Sequence, residues 1–210
     1  MADPGFPPHP GVRIEAIDTV YRGRSALQRV RFTFAGFDGR TIGPATWEVL
    51  RRGRAVAVLP HDPRTRRVVL IEQFRLPALA AGLDPVLIEA AAGLVDEDED
   101  EAAAARRETL EETGLAVGAL ALVGRFILTP GVADETIAIY LAEVAAPEPG
   151  AGGVLQHAGL AHEHEDIRVL VVPEETAFAW LDTGRIVNAT TAIALHALRA
   201  RRLGVVEAAS

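Results

Sequence analysis

The chain of 210 residues contains no cysteine and no lysine. Without cysteine there are no disulfides, no thiolate nucleophile and none of the sulfur ligands that most zinc sites use. Without lysine there is no Schiff-base chemistry and no lysine-dependent phosphate loop, which leaves arginine as the side-chain cation able to hold a phosphate. A GC-rich coding sequence accounts for arginine in place of lysine without any functional demand. No apolar run approaches the roughly 20 residues that span a bilayer. The opening "MADPGFPPHPGV" is too polar and too rich in proline for a signal peptide, so a cytoplasmic protein is expected. Positive charge is also in short supply: 21 basic against 29 acidic residues give a formal net charge of −8. That balance argues against nucleic acid and anionic membranes as partners. It leaves a phosphorylated small molecule open, because a bound divalent cation reverses the local field.

With 49% hydrophobic residues the chain can bury one large core, with room for a small appendage. Residues 1–12 are expected to be disordered or loosely packed. "VRIEAIDTVYRG", "LQRVRFTFAGFDG" and "ATWEVLRRG" are strand-like, and Asp38-Gly39 offers a hairpin turn, so residues 13–53 form a small antiparallel sheet. Two strands at 54–59 and 67–74 follow, joined at Asp62-Pro63, and "VLIEAAAGLV" is a short strand or extended segment. A helix is expected from about Glu99 to Thr113 with Gly114 as its stop. Strands at 119–128, 136–144 and 167–172 and helices at about 174–183 and 189–202 complete residues 54–204. The segment 145–166, rich in glycine, proline and histidine, reads as one long loop. Strands and helices mix without regular alternation, which favours an α+β fold or a sandwich built on a mixed sheet.

Residues Gly93–Leu115, "GLVDEDEDEAAAARRETLEETGL", carry nine carboxylates and only two arginines. Glu108, Glu111 and Glu112 stand at i, i+3 and i+4, so they share a helix face with Cβ atoms about 5–6 Å apart. Oxygen ligands at that spacing suit a hard cation such as Mg²⁺ or Mn²⁺. Glu99, more than two turns before Arg107, can accept its guanidinium. A merely solvated acidic face fits the spacing equally well.

The full pattern is more specific. Gly93, five residues, Glu99, seven residues and then "RETLEETGL" resembles the signature of the Nudix hydrolases, with Arg107, Glu108, Glu111, Glu112, Gly114 and Leu115 all in place. Thr109 departs from it, since an aliphatic residue or alanine is usual there; a small local cost is expected. The resemblance implies a Nudix α/β/α sandwich with a mixed sheet over 54–204. It implies Mg²⁺ (Mn²⁺ as a possible substitute) held by Glu108 and Glu112, with Glu111 as ligand or support, Arg107 in the catalytic group and the main-chain carbonyl of Ala92 as a further ligand.

"VVLIEQFRLPAL", "LIEAAAGLVD", "TPGVADETIAIYLAEV", "HEHEDIRVLVV" and "IVNATTAIALHAL" resemble the ADP-ribose and sugar-nucleotide pyrophosphatase branch of that family. This implies a homodimer built through residues 13–53 and a nucleoside diphosphate sugar as substrate, ADP-ribose by preference, with GDP-mannose as the alternative. A regulatory domain that binds a nucleotide without turnover is the reading from another class. Arg75 matches the family's substrate arginine, and Glu89 could orient it. Trp47 could stack on the base or belong to the core of the small sheet. Arg24 falls where relatives supply the other side of the base from the partner subunit, though no aromatic stands there. On the segment "HAGLAHEHED", Glu163 matches the general base and Glu165 a metal ligand or a residue that supports one. His162 and His164 read as exposed loop residues rather than as a transition-metal pair.

Overall fold

A computed structural model of the chain describes residues 5–159 and 166–205. They divide into two compact units, one comprising the residues up to Gly53 with Ile127–Glu135, the other Arg54–Phe126 with the residues from Thr136 onward.

In the first unit, β1 (Val12–Arg22), β2 (Ala26–Ala35) and β3 (Thr41–Arg51) form an antiparallel sheet in sequential order. The turn at Asp38-Gly39 forms because Gly39 takes φ +79°, which only glycine adopts freely, and because Asp38 accepts the amide of Arg40. Residues 5–11, within the segment expected to be disordered or loosely packed, include a bridge from His9 to Val12, and Gly11 accepts the amide of Ala35. The inclusion of Ile127–Glu135 was not foreseen. It follows from pairing: Leu50 donates to the Val132 carbonyl and accepts from the Asp134 amide, while the Asp134 carboxylate takes the Arg52 amide at 2.6 Å.

The second unit is built on β4 (Arg54–Asp62) and β5 (Arg67–Phe74), whose "AVAVLP" and "VVLIEQ" runs are buried on both faces. The eight-stranded mixed sheet has the order β10-β11-β5-β4-β9-β8, with β9 (Thr136–Glu143) parallel to β4. β8 is Leu120–Ile127, β10 Val154–Ala158 and β11 Ile167–Pro173. β4 and β5 pair with each other only at His61–Val68 and Asp62–Arg67, beside their turn. Beyond it they part, and the expected single segment "VLIEAAAGLV" runs between them as two strands. β6 (Val86–Glu89) pairs β5, β7 (Ala91–Leu94) pairs β4, and Ala90 is the crossing point. A backbone amide buried at such a crossing needs a partner outside the ladder. Ala90 donates to Thr191 Oγ1 at 2.8 Å.

Helices cover both faces, giving the α+β, α/β/α arrangement. α2 (Glu101–Thr113) packs Ala104 and Ala105 on Val56, Val58, Ala138 and Tyr140. Alanine there lets the helix backbone approach the sheet closely. α3 (Glu174–Asp182) and α4 (Ala189–Arg202) complete the unit, α4 against β4 and β9 with Ala194, Leu195 and Leu198 buried. α1 (Leu76–Ala80), a short helix with proline in its first turn, was not anticipated. The long loop expected over 145–166 needs correction: Val154–Ala158 is a strand on β11. Leu155 and Ala158 pack against Val69, Ile71, Val169 and their neighbours, and this tertiary contact outweighs the flanking glycines. No described helix is long and apolar enough to cross a membrane.

His61, near the end of β4, is 8% exposed, and its Nδ1 has no hydrogen-bond partner among the described residues. Burial holds the imidazole pKa below its ordinary value, and Arg202 acts in the same sense, against the pull of Glu174 and Glu143. The folded chain therefore keeps His61 neutral where the unfolded chain binds a proton. Stability from this group is complete above about pH 6.5 and is lost as pH falls through the lowered folded pKa. The urea midpoint should thus decline between about pH 7 and 5.5, and His61→Leu should flatten that decline. An equal slope in the variant would assign the effect to other groups.

Candidate active site

α2 begins where Asp100, as N-cap, accepts the amides of Ala102 and Ala103, and ends where Gly114 takes φ +70°. Arg107 lies at the centre of its acidic face. Its Nε and Nη2 grip both oxygens of Glu99 at 3.0 and 2.8 Å, its Nη1 reaches Glu108 at 2.6 Å and Glu111 at 3.3 Å, and Nη2 also donates to the Leu94 carbonyl at 3.0 Å. The guanidinium hydrogen bond lowers the Glu99 pKa, and Glu99 and Glu108 in turn raise that of Arg107. Glu99 thus sits just outside the helix, which starts at Glu101, and is tied back onto it by a two-pronged ion pair.

The helix face meets β7 through two side chains. A Cβ added to Gly93 would stand 2.0 Å from the Glu108 carboxylate, so only glycine leaves room for that group. Glu112, 6% exposed, accepts the Ala92 amide at 2.9 Å. Carboxylates from one helix face therefore rest on successive residues of one strand. Thr109, the departure from the motif, is fully buried and donates its hydroxyl to the Ala105 carbonyl at 2.7 Å, so the polar atom is satisfied within the helix. At the entry to the helix, Glu101 pairs with Arg125 at 2.7 Å, and the carbonyls of Asp96 and Glu99 accept from Arg54.

A second group of candidates lies in the gap of the divided sheet. Arg75, directly after β5, donates through Nε to Glu89 at 2.7 Å. Glu89, 4% exposed, also accepts from Gln73 at 3.3 Å and from Asn188 at 2.6 Å. Sequence reasoning missed Gln73, Asn188 and the Leu94 carbonyl. "NATT" does carry the signal of a helix N-cap at Asn188, but nothing local indicates what its other side touches. Trp47 and Arg24 belong to the first unit. Trp47 is 57% exposed on β3 and meets Phe32 edge-on at 5.1 Å, so it is not a core residue of the small sheet. Arg24 is exposed in the bend between β1 and β2. Glu163, Glu165, His162 and His164 lie outside the described residues.

Glu108, Glu111, Glu112 and the Ala92 carbonyl are hard oxygen donors on adjoining helix and strand, a set that fits Mg²⁺ or Mn²⁺ and not a thiophilic metal. Among the described residues, no three acidic or histidine side chains converge closely enough to hold a metal unaided. The described part of the site would need oxygens from elsewhere, such as the substrate's phosphates, water or another segment.

ADP-ribose pyrophosphatase of Escherichia coli is 41% identical over 188 residues, covering 90% of this chain and 88% of that protein. GDP-mannose pyrophosphatase of Citrobacter koseri is 36% identical over 157 residues, covering 74% and 78%. The crystal structure of an ADP compounds hydrolase shares the fold with a TM-score of 0.67 at 21% identity, over 93% of this chain and 96% of that one. The sequence model of the NUDIX domain matches residues 51–189, and the chain belongs to the Nudix family.

Proposed function

We propose that the chain hydrolyses the diphosphate of ADP-ribose to AMP and ribose 5-phosphate, with Mg²⁺ as the working cation and Mn²⁺ as a substitute. The seating of Glu108 on Gly93, with Glu112 on Ala92 beside it, is the observation that supports a diphosphatase best. The likeness to ADP-ribose pyrophosphatases favours ADP-ribose as the substrate. Glu108, Glu112, Glu165 and the Ala92 carbonyl would hold the cation, with Glu111 supporting them. When bound, the cation neutralises the diphosphate and lowers the pKa of an attacking water. Arg107 keeps Glu108 and Glu111 oriented and offsets their mutual repulsion. Arg75 takes a diphosphate or ribose oxygen with its planar fork of donors, with Glu89 fixing its direction. Glu163 accepts the proton from the water. Trp47 offers a flat face to the base, and in the homodimer the second side would be met from the partner subunit at the position of Arg24, where no aromatic stands.

A GDP-mannose hydrolase is the second reading, favoured by the relatives that carry that name. Initial rates with Mg²⁺ should be higher on ADP-ribose than on GDP-mannose, with AMP released. Faster turnover of GDP-mannose would select the second reading. Tight ADP-ribose binding without turnover would instead make the chain a nucleotide-binding regulator.

Glu163→Gln should lower kcat by roughly 10²–10⁴-fold, the range of general-base catalysis, with little change in KM. If Glu165→Gln or Glu111→Gln loses kcat while Glu163→Gln keeps it, the base is one of those two. The protein is further read as a cytoplasmic homodimer through residues 13–53. Light scattering at micromolar concentration should give twice the chain mass, and a fully active monomer would reject that assembly.

A further inference from the structure

Asn188 stands outside every residue that the motif assigns to the reaction, yet it joins α4 to the partner of Arg75. Its Oδ1 accepts from the Thr191 amide at 3.0 Å, from Thr191 Oγ1 at 2.9 Å and from Thr190 Oγ1. Its Nδ2 donates to Glu89 Oε1 at 2.6 Å. The orientation of this amide follows from chemistry. Exchanging its oxygen and nitrogen would set amide protons against the Thr191 N–H, and oxygen against a carboxylate oxygen.

Capping a helix needs only the acceptor. Aspartate, serine or threonine would serve α4 about as well. What asparagine adds is a donor, and that donor is spent on a carboxylate 4% exposed inside the divided sheet. The other oxygen of Glu89 receives Gln73 and Arg75. The carboxylate is thus held from β5, from the residue that follows β5 and from α4. Arg75 is also fixed through its backbone, whose amide donates to the Pro85 carbonyl at 2.7 Å. Its side chain remains 39% exposed, and its terminal nitrogens make no hydrogen bond among the described residues. Thr191, bound to Asn188 on one side, receives the Ala90 amide on the other, two residues before Ala92. The start of α4 therefore anchors both the arginine's carboxylate and the strand that meets the acidic helix.

We propose that Asn188 is a positioning residue for Arg75: its amide nitrogen locks Glu89 in the orientation that turns the free edge of the guanidinium toward the substrate's diphosphate. The inference rests on the reading of Arg75 as the diphosphate-binding arginine. Asn188→Asp separates this role from capping, because the carboxylate still caps α4 but faces Glu89 with no proton to give. It should raise the KM for ADP-ribose about tenfold, the scale of one charge-assisted hydrogen bond, with a smaller change in kcat. Adding Glu89→Gln should restore much of the loss, since the new amide donates to the new carboxylate and still accepts Arg75. In an Arg75→Ala background, Asn188→Asp should cost nothing further.

Affinity for ADP with Mg²⁺, read by calorimetry on the same proteins, should follow the same order without requiring turnover. A wild type that binds ADP but hydrolyses neither ADP-ribose nor GDP-mannose would reject the proposed function and leave the affinity comparison intact. A KM and an ADP affinity within twofold of wild type in Asn188→Asp, or an equal loss with and without Arg75, would overturn the inference whatever the change in Tm. A wild type that does not bind ADP would overturn it as well.

Discussion

Carboxylates that must lie together to serve as oxygen donors repel one another, and the second unit is arranged around that repulsion. Like-charge neighbours on a helix surface destabilise it, and a guanidinium placed among them counters that repulsion. Arg107 does so by bonding Glu99, Glu108 and Glu111 at once. Because Arg107 also reaches the Leu94 carbonyl, it ties the helix to the strand as well as neutralising the acids. Gly93 completes the junction by leaving no side chain where Glu108 must rest.

That junction needs a strand beside α2, and the parting of β4 and β5 supplies it. A polypeptide that passes from one ladder to the other exposes polar groups at the crossing. Here they are met by the first turn of α4, which has side-chain hydroxyls and an amide to offer. The divided sheet thus connects an interior constraint, the satisfaction of Ala90 and Glu89, to the placing of two candidate groups on the same pair of short strands. Arg75 is held at one end and Glu108 with Glu112 at the other.

Most elements were legible because their signals are local. Alternating and continuous apolar runs marked the strands, Gly114 ended the acidic helix, and Asp38-Gly39 turned the hairpin. The ion pair of Glu99 with Arg107 was also legible, since both lie on one short segment. The elements that escaped depend on distant partners. β10 exists through β11 and the apolar cluster beneath it, α1 is too short to show a period, and Ile127–Glu135 joins the first unit through Leu50, Arg51 and Arg52.

The same division runs through the candidate site. Sequence alone determined the family, the hard-oxygen character of the donors and the helix that carries them, because spacing along one helix fixes which side chains share a face. Tertiary structure alone decided that Glu108 sits on Gly93, that Glu112 holds the Ala92 amide, and that Glu89 is shared by Arg75, Gln73 and Asn188. Glu89 and Asn188 are 99 residues apart. No periodicity links positions so far apart in the chain; they meet because a buried carboxylate must find donors and the start of α4 is where the fold provides one.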